Sequence, residues 1–529
     1  NAIHVFVFLH SSGYTPEFIA SVMNRLEPVA MRMEIVGGMN NCTLINDTYN
    51  SDLVSLSNAL DVLNQQNQHR KKTIILSDIL QSGKPAGELY RDVSALVEGQ
   101  HIDRFIGIGP EISAHSELFM NGALFYTETE DFLTTAVQPS FRNEAILLKG
   151  SRKFHFEMIA RVLQEKAHRT VMEIDLNALV ENYRYYKSVL PRDTKIMAMV
   201  KAFSYGSGGY EVANVLQYNH VDYLAVAFAD EGVTLRKNGI HVPVMVMNPE
   251  KNDYFLITEY NLEPEIYSFR ILEDFSNYLE RNGLQQYPVH LKIDTGMHRL
   301  GFEEKDTEKL ITSLKDDKLK VVSVFSHLAA ADEPANDEFT TMQIDAFRRV
   351  SDRIQQSTGQ TFMRHILNSA GIERFPSSAF DMVRLGIGLY GVSSFRQDKL
   401  QEVSSFKTSV AQIREVQSGD TIGYSRRGKA EGNRRIATLP VGYADGVFRA
   451  LGNGRGTFMV NGHAASVIGN VCMDMTMIDI TGIPVEENDE VIIFGKENPV
   501  QAVAASAGTI PYEILTRISE RVKRIYFRE

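Results

Sequence analysis

Residues 199–208 read MVKAFSYGSG. Lys201 ends an apolar run that begins at Lys195, and Tyr205, Gly206, Gly208 and Gly209 follow at once. Further along, polar groups again stand where apolar runs end. Lys292, Asp294 and Arg299 lie in HLKIDTGMHRLGF, and His327 lies in SHLAAADE. Asn368 and Ser369 lie in HILNSAGIERFP, and Arg384 lies in DMVRLGIGLYG. A single lysine at a strand end is ordinarily a snorkelling surface residue. A series of such ends is different, because it supplies a candidate buried amine, arginines for anions and a glycine-rich turn of the phosphate-cradling kind. Those parts suit a lysine Schiff base with pyridoxal phosphate.

What must position them is a set of strands that deliver their ends to one place. From about residue 167 to 400 the candidate strands are TVMEID, KIMAMVK, YLAVAF, VPVMVMN, EPEIYS, VHLKID, VVSVFSHLA, HILNSAG and DMVRLGIGLYG. Most are continuous apolar runs, as in strands buried on both faces. Helical patterns such as GYEVANVLQYN and ADEGVTLRKNG separate them. About eight βα units over ~230 residues predict a (β/α)8 TIM barrel, with active-site residues at the carboxyl ends of its strands. On pattern alone a doubly wound open sheet also fits. Residues 401–529 alternate polar and apolar positions and carry many turn glycines, so a mainly β domain is expected. Helical periodicity returns there near VQAVAASAG and PYEILTRISERV. Residues 41–166 alternate strand patterns (CTLIND, KKTIILSDI, RFIGIG, AILLKG) with helical ones, a small α/β layer domain. Residues 1–40 read as a helix pair ending at MRMEIVGG.

Bulk properties narrow the class. With 529 residues the chain needs about three domains. The net charge of −11 is spread along the chain with no basic stripe, which speaks against a nucleic-acid partner. No apolar run approaches the ~18 residues of a membrane span. NAIHVFVFLHSSGY lacks the basic region of a signal peptide. Cys42 and Cys472 make no CxxC pair, so no metal site is expected and a reducing, cytoplasmic setting fits. Cys472 reads as a small buried apolar residue and His365 as a hydrogen-bonded strand-end histidine. The chain begins at Asn1 without a methionine, so a piece of a longer protein is expected.

VKAFSYGSGG resembles the cofactor-lysine motif of the pyridoxal-phosphate-dependent alanine racemases. The resemblance continues to the end of the chain through the motifs above and through DTIGYSRRG, LPVGYADG, GNVCMDM and TIPYEI, in family order. It implies an isomerase that interconverts L- and D-alanine between two bases. Lys201 matches the lysine that binds the cofactor and serves as one base. Tyr424 matches the opposing tyrosine, which in the family enters from the partner subunit of a homodimer. Tyr205, Ser369, Gly386, Ile387 and Tyr512 match phosphate-binding positions. Arg384 matches the arginine beside the pyridine nitrogen, and His327 a supporting histidine. Arg299 and Met473 match positions that bind the substrate carboxylate. Lys292 matches a lysine that is often carbamylated and orients that arginine. Tyr443 is read as a pocket-entrance residue. Phe203 and Ser207 depart from the family's usual asparagine and histidine. A decarboxylase of the same fold, a racemase with wider scope that includes serine, and a barrel-only cofactor carrier are the alternatives. The complete β domain with Tyr424 argues against the carrier.

The amino-terminal third has a separate resemblance. INDTYNSDLVSLSNAL contains an Asx cluster before an amphipathic helix, with Asp52 or Ser51 as candidate cap. It resembles the start of the Rossmann-like carboxy-terminal domain of Mur ligases, and residues 1–40 would then be a remnant of the ligase central domain. Asp47, Asn50 and Lys149 match positions facing the nucleotide and substrate cleft, while Asn46 and Tyr90 depart from the usual acidic residue and histidine. The three Gly-Lys pairs are followed by Pro85, Ala430 and Glu497, so none makes a G-x-x-x-x-G-K-[ST] phosphate loop. Ligation is therefore not expected of this chain. The pairing makes metabolic sense for peptidoglycan, because D-alanine is the precursor of that ligase's substrate.

Overall fold

A computed structural model describes residues 9, 11, 14, 15, 34–48, 51–66, 68–80, 82–100, 102–134, 141–163, 170–314 and 318–527. The chain forms two compact units, Asn1–Ala167 and His168–Glu529.

The first unit holds β1 (Glu34–Gly38), β2 (Cys42–Asp47), β3 (Lys71–Ser77), β4 (Arg104–Ile108), β5 (Leu124–Tyr126) and β6 (Glu144–Lys149). They form one sheet in the order β1-β2-β6-β3-β4-β5, antiparallel only at β1. Alternation along the strands puts Ile45, Ile74 and Leu76 in one core and Leu44, Ile75 and Ile106 in another. Asp52 rather than Ser51 caps the helix Leu53–Gln65, through a capping box with Ser55. MRMEIVGG does not finish a helix pair as expected. Glu34–Gly38 extends as an edge strand, because its partner CTLIND follows after a tight turn through Asn40 and Asn41, both with positive φ. The rest of that expected helix pair lies outside the described residues, apart from isolated positions.

In the second unit, β7 (Val171–Asp175) precedes β8 (Lys195–Met199), β9 (Tyr223–Val226), β10 (Val244–Val246) and β11 (Glu263–Ile266). β12 (Tyr287–Lys292), β13 (Leu319–Phe325), β14 (Met363–His365) and β15 (Met382–Leu385) follow. Strands β8 to β15 make one parallel eight-stranded sheet in the order β14-β13-β12-β11-β10-β9-β8-β15. Its two end strands meet through the Asp381 N–H to Arg364 O and Arg384 N–H to Leu367 O hydrogen bonds, so the barrel is nearly closed. TVMEID was expected to open this barrel, but it does not. As β7 it pairs with Ser404–Ser409 and Lys523–Phe527 in a nine-stranded, mainly antiparallel sheet. The physical reason is legible in its burial. Glu173 and Asp175 are half-buried at alternate positions, which a strand enclosed on both faces does not tolerate. Glu173 pairs with Lys407 at 2.9 Å, and Asp175 caps the helix Leu176–Val189. The short helices Val500–Ala507 and Pro511–Thr516 complete the carboxy-terminal region.

Candidate active site

Lys201 follows β8 directly and opens a turn of unusual hand. Ala202, Phe203, Ser204 and Tyr205 have φ of 52°, 54°, 50° and 54°. Left-handed backbone costs non-glycine residues roughly 1–2 kcal/mol each. Hydrogen bonds offset that cost: Ser204 N–H to Val200 O at 3.1 Å, Gly206 N–H to Ala202 O at 3.0 Å, and Ala202 N–H to Glu231 Oε1 at 2.7 Å. Gly206 continues the turn at φ 81°, and a Cβ there would collide with the carbonyl oxygen of Leu515. That close approach seats the turn against the helix that carries Tyr512. The Tyr205 ring lies 4.7 Å from Tyr390 and 5.9 Å from Tyr512.

Around this turn the barrel ends assemble a polar cradle. The Ser369 Oγ accepts hydrogen bonds from the Gly386 and Gly388 N–H groups at 3.0 and 3.2 Å. A Cβ at Gly386 would stand 3.1 Å from the Tyr205 hydroxyl, which is why a residue without one sits there. Ile387 begins the short 3-10 segment that follows. Asn368 caps the helix Ser369–Arg374 through the Gly371 N–H at 2.9 Å. Asp294 accepts from the Gly296, Met297 and His298 N–H groups and so shapes the loop that presents the exposed Arg299.

Arg384 is buried in β15. Its Nη1 donates to His365 Nδ1 at 2.7 Å, and its Nη2 donates to Ser326 O at 2.6 Å and to His327 Nδ1 at 3.2 Å. Accepting at Nδ1 leaves both imidazoles with their proton on Nε2. Burial and the Arg384 charge push both rings well below the usual histidine range, so they are neutral near pH 7. Burial also pulls the Arg384 guanidinium down to about 10, which leaves it charged near pH 7. His365 passes the chain on: its Nε2 donates to Ser323 Oγ at 2.8 Å, Ser323 donates to His290 Nδ1 at 2.7 Å, and His290 Nε2 donates to Glu263 at 2.9 Å. This belt crosses five consecutive strands and fixes the orientation of Arg384.

The amine of Lys201 is half-buried. Burial, then the charges of Arg299 and Lys292, lower its pKa from the ordinary lysine value. Lys292, at the end of β12, lies 3.1 Å from the fully buried Glu265 and 5.3 Å from the Phe325 ring centre.

Tyr424 and Met473 are not part of this cluster. They line a groove of about 990 Å³ on the β domain, together with Tyr443, Asn470, Cys472 and Arg517. Tyr424 is 71% exposed, and its carbonyl oxygen accepts from Asn470 Nδ2 at 3.1 Å. Cys472 is only partly buried, contrary to the expectation of a buried residue, because the short Asn470–Asp474 loop leaves one side open to the groove.

In the first unit, Lys149 and Asp47 are register partners on β6 and β2 and form an ion pair of 2.8 Å. Tyr90 donates to Asp78 at 3.1 Å. Asn50 lies outside the described residues. Sequence reasoning missed Glu231, Glu265, Tyr390 and the His290–Ser323 link. For Glu265 its own strand carries no distinguishing signal, because EPEIYS also holds Glu263.

The residues fit pyridoxal phosphate. A lysine with a depressed pKa, a hydroxyl-and-amide cradle, and a buried guanidinium held in place through Nη1 and Nη2 are the groups such a cofactor needs. Comparison with known proteins gives the same class. Residues 174–394 match the family profile "Alanine racemase, N-terminal domain", and residues 403–526 match "Alanine racemase, C-terminal domain". Residues 31–152 match "Mur ligase, glutamate ligase domain". An alanine racemase of Thermodesulfovibrio yellowstonii is 38% identical over 366 residues, which is 68% of this chain and 97% of that protein. The structure of an alanine racemase of Clostridium difficile 630 superposes with a TM-score of 0.64 at 33% identity, covering 68% of this chain and 96% of that one. For the enzyme of Streptomyces lavendulae the TM-score is 0.65 at 30% identity, covering 69% of this chain and 98% of that one. The chain belongs to the alanine racemase family, with a Mur-ligase domain before the racemase part.

Proposed function

We infer that this chain racemises alanine, and that the carrying observation is the depressed Lys201 amine among Arg299, Lys292, Arg384 and His327 at one barrel end. Bound pyridoxal 5'-phosphate supplies an electron sink that makes the Cα proton of an amino acid removable. Racemisation takes that proton from one face and returns one to the other, so two bases on opposite faces are the simplest arrangement. Lys201 Nζ is one. Its lowered pKa raises the neutral fraction that can accept a proton. The Tyr424 phenolic oxygen is the other, and Arg299 and the Met473 amide hold the substrate carboxylate.

Tyr205, Ser369, Gly386, Ile387 and Tyr512 would hold the phosphate group. Arg384 would face the ring nitrogen. Because arginine stays protonated, it would donate a hydrogen bond there and give up its proton reluctantly. Neutral His327 supports it without adding charge. The reading includes a homodimer in which Tyr424 of one copy faces Lys201 of the other. The exposure of Tyr424 and Met473 on a groove without barrel residues supports that arrangement. Cytoplasmic placement is supported by the two unpaired cysteines. Among the described residues no helix is long and apolar enough to cross a membrane.

The test is a chiral assay of L- and D-alanine with the cofactor-saturated protein, run beside other amino acids. Unchanged optical activity of alanine overturns the reading. A chain starting at His168 is expected to keep its turnover, since the two units are separately compact.

A further inference from the structure

The segment that follows β15 is held by the helix Leu176–Val189. Two residues one turn apart on that helix reach it. Asn182 Nδ2 donates to Leu389 O at 3.3 Å and to Gln401 O at 2.8 Å. Tyr186 has no exposed surface, and its hydroxyl packs against Gly388, where a Cβ would overlap it. That hydroxyl donates to Glu373 Oε1. Burial, then the Glu373 charge, push the phenol far above its ordinary pKa, so it remains a donor. The second carboxylate oxygen, Oε2, accepts from Ser393 Oγ at 2.7 Å. Ser393 Oγ in turn accepts from the Phe395 and Arg396 N–H groups at 3.0 and 2.8 Å. Glu373 stands one turn after Ser369 on the short helix Ser369–Arg374. One carboxylate therefore joins three pieces: the helix that begins at Ser369, the helix packed on Gly388, and the loop that follows Gly391.

We propose that Glu373 and Tyr186 are positioning residues for the cofactor phosphate, which hold the Ser369 hydroxyl and the Gly386 and Ile387 amides at the spacing a phosphate needs. The proposal rests on the racemase reading for which groups meet the phosphate. Ser369 opens a helix, whereas Gly386 and Ile387 belong to the segment after β15. A cradle made from two elements is only as well set as the distance between them. The bonds from the Gly386 and Gly388 N–H groups to Ser369 Oγ set that distance from inside, but a bound phosphate competes for the same groups. The Tyr186–Glu373 bond sets it from outside, through groups that already satisfy one another. A carboxylate suits this post, because its two oxygens accept from two sides at once and its hydrogen bonds are charge-assisted. The cradle is then preorganised, and the phosphate binds without first ordering it.

The experiment titrates the full-length chain, stripped of cofactor, with pyridoxal 5'-phosphate and with pyridoxal, which lacks the phosphate. Binding is read from the lysine-bound absorbance, and thermal melts are run beside it. The wild type is expected to prefer the phosphorylated form. Tyr186→Phe and Glu373→Leu are expected to weaken that form by about tenfold, the worth of one good hydrogen bond, and to leave pyridoxal unchanged. Glu373→Gln keeps an acceptor for Tyr186 and is expected to recover most of the preference. An unmoved preference in Tyr186→Phe overturns the proposal, whatever happens to the melting temperature, because the pair would then give general support only. A Glu373→Gln no better than Glu373→Leu overturns it too, since the bond to Tyr186 would not be the link. If Glu373→Leu does not fold, Tyr186→Phe, which keeps the ring and its packing, decides alone. A wild type without the preference would sink the phosphate reading itself and the proposal with it, a result distinct from an unmoved variant. Turnover is not read, so failure to racemise alanine would leave this test standing.

Discussion

Lys201 and Tyr424 occupy opposite physical settings within one unit. Lys201 is half-buried in a barrel end crowded with cations, and its surroundings shift its pKa, fix its backbone in a left-handed turn and hold Arg384 through two neutral histidines. Tyr424 stands 71% exposed on a short segment of the β domain, beside the exposed Tyr443 and Met473. One half of the proposed site is prebuilt. The other is an open face without enclosure. Preorganised charge inside a protein is effective because water is kept away, so the open half needs a second surface to become chemically useful.

The largest effect should come from the prebuilt half. Lys201→Ala removes the proposed cofactor amine and one proposed base together, and turnover is expected to fall by more than ~10⁴-fold. The cofactor's lysine-bound absorbance should vanish with it. Retention of that absorbance would place the reactive amine elsewhere and break the comparison at its root.

Tyr424→Phe should cost about 10²–10⁴-fold, the usual range for one general base. The informative readout is not the ratio of forward and reverse kcat/KM, because enantiomers have equal free energies and that ratio is fixed. It is exchange of the Cα proton with deuterated water. The variant should exchange the proton of one enantiomer at the Lys201 face and leave the other nearly untouched. Equal, small losses of exchange from both enantiomers would contradict the two-base assignment.

Whether the open half is completed by another copy is tested by mixing. Lys201→Ala and Tyr424→Phe chains are each nearly inactive. Reassociated in equal amounts, half of the dimers are mixed, and each mixed dimer regains one intact site of two when the bases come from different copies. About a quarter of wild-type activity should return, as two-fold symmetry requires. No recovery would mean that both bases act from one chain.

The same contrast explains what was legible beforehand. Lys201, Lys292, Arg384 and Ser369 stand out because each is polar where an apolar strand ends, and the fold class follows from those runs. Tyr424 and Met473 stand in no such pattern, and only the family resemblance pointed to them. β7 was misplaced because a short apolar run does not reveal which sheet it joins, although Glu173 and Asp175 at alternate positions carried the hint. The left-handed turn at 202–205 was invisible, since Ala, Phe, Ser and Tyr carry no preference for it and the conformation is imposed by Glu231 and by contact with Leu515. Glu265 was overlooked because its partner Lys292 belongs to a neighbouring strand, and pairing across strands is not written in local sequence.

The smallest effect is a shift in pH dependence, and it sharpens the comparison from the buried side. Burial, Arg299 and Lys292 all lower the Lys201 pKa from its ordinary value of 10.5. The neutral, nucleophilic amine is therefore present at lower pH than on a free lysine. Reloading of the apoenzyme with pyridoxal phosphate should rise with pH and reach half its plateau below 10.5, the unperturbed value. The stability of the apoenzyme should move in the same direction. A folded-state pKa below the unfolded one means that the unfolded chain binds more protons in the interval between them, so this group's contribution to stability rises with pH across that interval. Above 10.5 both states are neutral at this position and the contribution is level. Denaturant melts of the wild type and Lys201→Met, compared across that interval, isolate the term: the wild-type curve should climb relative to the variant. A relative fall would mean that the amine is stabilised in its charged form and would undo the case for a buried nucleophile facing an exposed partner.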